Sequence, residues 1–354
     1  MRRLGLVLVV CGALLAPAPA HAQRARSKPL AHWARLATVP YALDLSTQRS
    51  DGRIMISSNP PPGEATGTPK HDVGPWSLVP GRAPAPFASS YLSPGGDETY
   101  MVMSPARPRR RCSFGDETLY VLRLAPPMGV TAIDRRGHVR QFATITGQGV
   151  ETGIALDQTG HFGYRLIVTV SQGIWSALYA INCHGRVSLL APQIPKVEGG
   201  LVVAPPSFGR FGGYLIGPDE FSGHIYGIPP DGGSEALATL GADGQDGGPE
   251  SLGFVPRRFG RAWRVLVSDR AEPAAAAGEP GDGVILDITG ASLLSAGVRA
   301  GDLLVVNEES ALTFDVRCTN TCRSREVADG PVTAHVEGHI AFARWPQHRL
   351  RGSR

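Results

Sequence analysis

Acidic residues recur at matched places along this 354-residue chain. Glu151, Glu198 and Glu250 each open a short apolar run: Glu151-Thr-Gly-Ile-Ala-Leu, Glu198-Gly-Gly-Leu-Val-Val and Glu250-Ser-Leu-Gly-Phe-Val. Val336-Glu337-Gly338 repeats the wording around Glu198 and makes a fourth candidate. If equivalent segments are arranged about one axis, their carboxylates converge, and such groups repel one another unless a cation, a proton or an arginine intervenes. A divalent cation is the cofactor such a ring would take, Ca²⁺ above all because it accepts about six to eight oxygen ligands. A plainer reading stands beside it: each glutamate accepts backbone N–H bonds at a strand entry or lines a water-filled channel. His335, Glu337 and His339 are spaced by two, so on a regular strand they share one face. That suits either metal ligation or a solvated terminal strand.

Other chemistries lack their signatures. The chain has no Gly-x-Ser-x-Gly elbow, no phosphate-cradling Gly-x-x-x-x-Gly-Lys loop and no dinucleotide fingerprint. His138, His184 and His224 sit beside turn signals and read as exposed. Trp175, Tyr179 and Tyr226 follow the repeat described next and read as sheet core. Arg107, Arg109, Arg110 and Arg111 cluster without interleaved aromatic residues, which reads as a solvated loop and not as a nucleic-acid groove.

The elements that must position the acids repeat. A spacing of 47 residues separates Glu151 from Glu198, Tyr179 from Tyr226 and Gly185 from Gly232. The pairs Phe162-Gly163, Phe208-Gly209 and Phe259-Gly260 move with the glutamates. Each copy holds four apolar runs of four to seven residues, rich in β-branched types and separated by Gly, Pro or Asp, which are strands. Ile133-Asp-x-x-Gly137, Ile181-Asn-x-x-Gly185 and Ile228-Pro-x-x-Gly232 predict tight hairpins between third and fourth strands. A four-stranded unit cannot bury both faces alone. Repeated copies must therefore close into a ring, an all-β propeller of four-stranded blades. Six blades are expected, with five or seven compatible: 33–87, 87–145, copies opening at Glu151, Glu198 and Glu250, and a sixth around Gly301-Asp-Leu-Leu-Val-Val-Asn307. Gly297-Val-Arg-Ala-Gly-Asp-Leu-Leu also resembles a PDZ element, but no space beside it accommodates that domain. Residues 271–282, rich in Ala, Gly and Pro, read as a flexible insertion.

Residues 1–22 predict a secretory signal, with Arg2 and Arg3 before an uncharged run from Leu4 to Leu15 and Ala20-His21-Ala22 at the cut. A linker over 23–32, one propeller domain over 33–345 and a tail over 346–354 complete the organisation. No later run is long and apolar enough for a membrane helix. A secreted or periplasmic location follows, where disulfides are allowed. Cys318 and Cys322 are spaced to close a small loop. Cys112 and Cys183 are left as the other pair, with nothing in the sequence arguing for it. Charged residues are only 19% and the formal net charge is +4, so neither disorder nor polyanion binding is favoured.

The Ile-Tyr-x-Ile hairpins after glycine-opened strands, over about residues 87–345, resemble NHL-repeat propellers. They are also similar to the six-bladed senescence-marker/gluconolactonase and strictosidine-synthase groups. Those groups include metal-dependent lactonases, phosphotriesterases and pure binding proteins. The lactonase resemblance implies a divalent ion held by a Glu, Asn residues and an Asp at the channel mouth. Glu151 stands for that Glu, and Asp219, Asp269 and Asn307 end second strands in matched positions. Asparagine is scarce here, and Asn182 falls in a hairpin turn instead, a departure from the pattern. The expectation is an exported propeller that binds a small molecule or protein at one end of its ring. The alternative is a metal-dependent hydrolase of lactones or phospho/aryl esters.

Overall fold

The computed structural model describes residues 30–59, 74–88, 90–91, 98–106, 112–124, 126–241, 247–271 and 279–345. The signal segment 1–22, most of the linker 23–32, Arg107 to Arg111, the centre of the 271–282 insertion and the tail 346–354 lie outside them. The described chain is a β-propeller of four-stranded blades, with one seven-residue α-helix, α1 (Gly290–Ala296).

Two short strands, β1 (Ala31–His32) and β2 (Ala34–Thr38), precede the first blade. That blade is β3 (Ala42–Leu45), β4 (Ile54–Ser58), β5 (Trp76–Leu78) and β6 (Ala85–Pro86), paired in chain order. The second is β7 (Met101–Met103), β8 (Leu119–Arg123), β9 (Gly129–Ile133) and β10 (Val139–Thr144). The third is β11 (Val150–Leu156), β12 (Leu166–Ser171), β13 (Trp175–Ile181) and β14 (Val187–Pro195). The fourth is β15 (Val202–Val203), β16 (Leu215–Asp219), β17 (His224–Ile228) and β18 (Glu235–Thr239).

The expected hairpins form as the sequence requires. Gly137 N–H donates to the Asp134 carbonyl at 2.9 Å, and Gly185 N–H to that of Asn182 at 2.9 Å. Both glycines have φ in the left-handed region, at 89° and 76°. The side chains reinforce the turns: Asp134 Oδ1 accepts from Arg136 and His138 N–H, and Asn182 Oδ1 from His184 and Arg186 N–H.

The rest of the chain forms one nine-stranded sheet from β19 (Pro249–Phe254), β20 (Trp263–Asp269), β21 (Val284–Thr289), β22 (Leu303–Asn307), β23 (Thr313–Cys318), β24 (Cys322–Asp329) and β25 (Val336–Arg344), joined by β1 and β2. Its order is β1-β24-β23-β22-β19-β25-β20-β21-β2. This corrects the sequence reading in three places. Arg264 to Asp269 does not pair with Glu250 to Val255 as its second strand: β19 pairs with β22, and β20 lies between β25 and β21. Leu303 to Asn307 is thus the second strand beside β19 and opens no copy of its own. Residues 34–38 belong beside β21, outside the first blade. The physical reason is that β20 and β22 each carry an apolar stretch, Val265-Leu-Val267 and Leu303-Leu-Val-Val306, able to pair with β19. Local composition does not say which of them takes the free edge of β19.

Neighbouring sheets bury their faces against each other. Tyr120, Leu122 and Val130 of the second blade pack on Ile154, Leu166 and Val168 of the third. Ile167 and Leu178 of the third meet Leu215 and Ile228 of the fourth. Ile216 and Ile225 meet Leu252, Leu303 and Val305. Leu45, Ile54 and Ile56 of the first blade meet Leu266, Ile285 and Ala341, which closes the circle. Disulfides Cys112–Cys183 and Cys318–Cys322 are formed. The first ties the second blade to the third, and the second closes the β23–β24 turn.

The closure also has a polar pin. Asp44 on β3 is fully buried. Its Oδ1 accepts from Leu45 N–H at 2.7 Å, His339 N–H at 2.6 Å and His339 Nδ1 at 3.0 Å. Its Oδ2 accepts from Met101 N–H at 2.6 Å. One carboxylate therefore holds the inner strands β3, β7 and β25 together. Gly338 makes the approach possible: its φ is +72°, and a Cβ there would lie 2.4 Å from Asp44 Oδ1. Replacing Asp44 by Asn withdraws the charge and turns an amide toward donors, so Asp44→Asn is expected to lower unfolding stability by about 3 kcal/mol. Gly338→Ala is expected to act in the same direction. Urea unfolding midpoints of the two variants check both.

Candidate functional site

The inner strands β3, β7, β11, β15, β19 and β25 line the axis, and each has an antiparallel second strand beside it. Residues just before or early in an inner strand therefore meet residues just after a second strand at one end of the channel. Glu98 and Tyr100 precede β7, Lys196 and Glu198 precede β15, Glu250 lies on β19, and His335 and Glu337 bracket the start of β25. Glu220 follows β16, Arg270 follows β20 and Glu308 follows β22. These side chains form the channel mouth.

Their contacts are dense. Tyr100 OH lies 2.9 Å from Glu250 Oε1, 2.8 Å from Glu337 Oε2 and 3.2 Å from Glu98 Oε2. Arg270 Nη1 is 2.9 Å from Glu98 Oε1 and 3.2 Å from Glu337 Oε1. His335 Nε2 is 2.6 Å from Glu308 Oε1 and 3.2 Å from Glu337 Oε1. Lys196 Nζ is 2.9 Å from Glu198 Oε2 and 3.7 Å from Glu220 Oε1. Glu308 Oε2 accepts from Gly247 N–H at 3.1 Å. Glutamates outnumber the basic groups in this set, and several are almost without solvent: Glu250 is 1% exposed and Glu337 2%.

Proton occupancy follows from these surroundings. Tyr100 carries one hydroxyl proton but touches more than one carboxyl, so a neighbouring carboxyl must itself be a donor. Burial, with Glu337 next, pushes Glu250 well above the usual carboxylate range. Burial pushes Glu337 up as well, but its bond to His335, the His335 and Arg270 charges and the Tyr100 hydroxyl outweigh that and hold it low. The pair bridged by Tyr100 is thus split into one acid and one carboxylate. His335 is raised to about 11, burial being overcome by Glu308 and Glu337. Glu98 is raised well above the carboxylate range by burial and by Glu337 and Glu198.

Glu308, His335 and Glu337 bring ligand atoms within 4.8 Å of one another. Glu250, bridged to Glu337 through Tyr100, keeps Oε2 buried with no hydrogen-bond partner. One imidazole nitrogen and several carboxylate oxygens form a donor set that a divalent metal can use.

The structure brings Glu198, Glu250 and Glu337 to this mouth and leaves other sequence candidates elsewhere. Glu151 is buried on β11 beside Arg123 and Gly129 of the second blade, away from the other acids. The extra residue at the register shift of β11 is Thr152, whereas in β19 it is Glu250 itself, so the two glutamates do not occupy equivalent places. Asp219 bonds Ser222 Oγ at 2.5 Å within its own turn. Asp269 accepts from His335 N–H at 2.9 Å and Gly281 N–H at 2.6 Å, so it shapes the loops at the mouth. Asn307 packs against Gly241, with its Oδ1 buried and unpaired. In each case the following residue, Glu220, Arg270 or Glu308, enters the cluster, because side chains alternate along a strand. His335 and His339 do not share a face: the irregular register of β25 and the left-handed Gly338 turn His339 to Asp44. Sequence reasoning missed Glu98, Tyr100, Lys196, Glu220, Arg270 and Glu308. The matched positions of Asp219 and Asn307, each followed directly by a glutamate, carried a signal for two of them.

No protein-family model matches the chain, and no curated protein matches it by sequence. Solved structures similar to it include virginiamycin B lyase from Staphylococcus aureus, 11% identical with TM-score 0.43 over 83% of this chain and 87% of that one. Oligogalacturonate lyase in complex with manganese is 11% identical with TM-score 0.40, over 84% and 67%. A gluconolactonase from Xanthomonas campestris is 17% identical with TM-score 0.31, over 68% and 78%. Likeness at this level assigns neither activity nor ligand to the chain.

Glu151 allows a check on the electrostatics free of the cluster. Burial raises it to about 9, against the partial relief from Arg123. The folded state therefore holds this proton where the unfolded chain has released it, and stability contributed by Glu151 falls as pH rises from about 4.5 toward 9. The Glu151→Gln variant lacks that slope. Its stability relative to the parent is expected to improve by about 1 kcal/mol per pH unit between pH 5 and 8, measured by urea unfolding.

Proposed function

We propose that this protein is an exported six-bladed propeller, spanning 33–345, that holds a divalent cation at its channel mouth and binds a small molecule or protein partner there. In this reading the nine-stranded sheet is two blades, β19-β22-β23-β24 and β25-β20-β21-β2, meeting at the single parallel pair Leu252 and His339. The disulfides and the absence of a long apolar helix among the described residues accord with export.

The observation that carries the reading is the convergence of the Glu308, His335 and Glu337 donor atoms within 4.8 Å of one another at a buried, glutamate-rich mouth. Carboxylates crowded out of solvent repel one another, and a cation relieves that cost. Glu308, His335 and Glu337 would hold the ion, with Glu250 linked to Glu337 through Tyr100. The imidazole in this set favours zinc or manganese over the Ca²⁺ that the glutamates alone suggest. Lys196, Glu198 and Glu220 stand at the rim, half-buried, where a polar group of a ligand meets them.

A second reading, hydrolysis of lactones or phospho/aryl esters, has one observation in its favour. Burial, with Glu198 next, raises Glu220 to about 8, a value suited to proton transfer near neutral pH. A bound ion would supply polarisation of the substrate oxygen and an activated water.

The test is titration of chelator-treated protein with Zn²⁺, Mn²⁺ and Ca²⁺ by calorimetry, followed by lactone and aryl-ester assays with and without chelator. Saturable binding of Zn²⁺ or Mn²⁺ is expected, weakened roughly tenfold or more in Glu308→Gln and in His335→Ala. Absence of saturable binding for all three ions would sink the cation reading. Hydrolysis that survives chelation, or no hydrolysis at all, removes the second one.

A further inference from the structure

The same channel ends differently on the other side. Where the inner strands finish there is a cavity of about 270 Å³ to which β3, β7, β11, β15, β19 and β25 all contribute. Its wall includes Met101, Met103, Leu156, Val203, Phe254 and Phe342. Leu156, Val203, Phe254 and Phe342 are only half-buried, so apolar surface from four different strands stays open within one cup. Among the described residues the lining holds no Asp, Glu, Lys or Arg.

We propose that this cup is a second binding site, separate from the acidic mouth, for a small uncharged aromatic molecule of one or two rings. The size follows from scale: an apolar cavity of about 150 Å³ is enough for benzene, and this one is nearly twice that. The aromatic class follows from the lining. Met101 and Met103 offer thioethers, which contact ring edges favourably. Phe254 and Phe342 offer ring partners. His339 stands on the wall with Nδ1 at 3.0 Å from Asp44 Oδ1 and Nε2 at 2.9 Å from the Leu201 carbonyl. Both ring nitrogens already have partners, so His339 presents no free polar atom to a ligand. A charged ligand would find no carboxylate, lysine or arginine among the described lining residues. Thr47 and Gln158, both exposed at the rim, suit a single hydroxyl on the ring.

The site does not depend on the cation reading, because none of its residues belongs to the acidic mouth. The probe is 2-naphthol, titrated by its fluorescence into the mature full-length protein, with 2-decalinol, its saturated analogue, as competitor. Saturable one-to-one binding is expected, with 2-decalinol about tenfold weaker or worse. Leu156→Trp and, separately, Val203→Phe add bulk to the cup without removing a polar contact. Either variant that keeps the parental melting temperature is expected to lose about tenfold or more in affinity. Glu308→Gln at the opposite mouth is expected to bind 2-naphthol as the parent does. The proposal falls if the parent shows no saturable binding, if 2-decalinol competes equally, if a folded cup-filling variant binds unchanged, or if Glu308→Gln abolishes binding.

Discussion

Ring closure is the constraint on which the rest depends. A four-stranded sheet of this kind has two apolar faces and no other way to cover them than a neighbour on each side, so the last sheet must reach the first. Here the seam is made by the apolar contact of Leu45, Ile54 and Ile56 with Leu266, Ile285 and Ala341, and by the buried Asp44 carboxylate. Asp44 is satisfied on every side by N–H donors from three inner strands, which turns a charge that would be prohibitive in isolation into a cross-strand clamp. The first two strands add to the last sheet: β1 pairs with β24, and β2 with β21.

Closure gives the channel a direction. Since the inner strands all run the same way, everything near their starts gathers at one mouth and everything near their ends at the other. At the first mouth the burden is electrostatic. Glutamates from separate blades are forced together faster than Lys196, Arg270 and His335 neutralise them, and the balance is met by splitting carboxyls into protonated and ionised members around Tyr100. At the second mouth the wall is largely apolar, with His339 held on it by Asp44 and the Leu201 carbonyl. The two ends therefore favour different chemistry although the same strands build them.

Interleaving of the last strands is the feature that departs most from simple repetition. β19 gives its edge to β22, while β20 crosses to β25, so two stretches distant in sequence are pinned to one another in a single sheet. This places Arg270 and Glu308, which follow the two exchanged second strands, on either side of His335 and Glu337. The donor set at the mouth is a consequence of that exchange.

The amino-acid sequence by itself determined the class of fold: short β-branched runs, glycines such as Gly137 and Gly185 at left-handed turn positions, and matched spacings that demand a ring. It also pointed to Glu198, Glu250 and Glu337 as neighbours, because equivalent positions in copies share an axis. Those are local and periodic properties, which residue order carries directly. Tertiary structure alone decided the rest. The register shift of β11 falls after Glu151 where that of β19 falls on Glu250, which sets Glu151 apart; strand alternation replaced Asp219, Asp269 and Asn307 with the residues after them, and Gly338 turned His339 away from His335. Glu98 and Tyr100 repeat nothing and became visible only when β7 was placed beside β3. Each of these outcomes depends on a displacement of one or two residues or on which edge a strand pairs with. Non-local hydrogen bonding and packing set those choices, and spacing along the chain does not encode them.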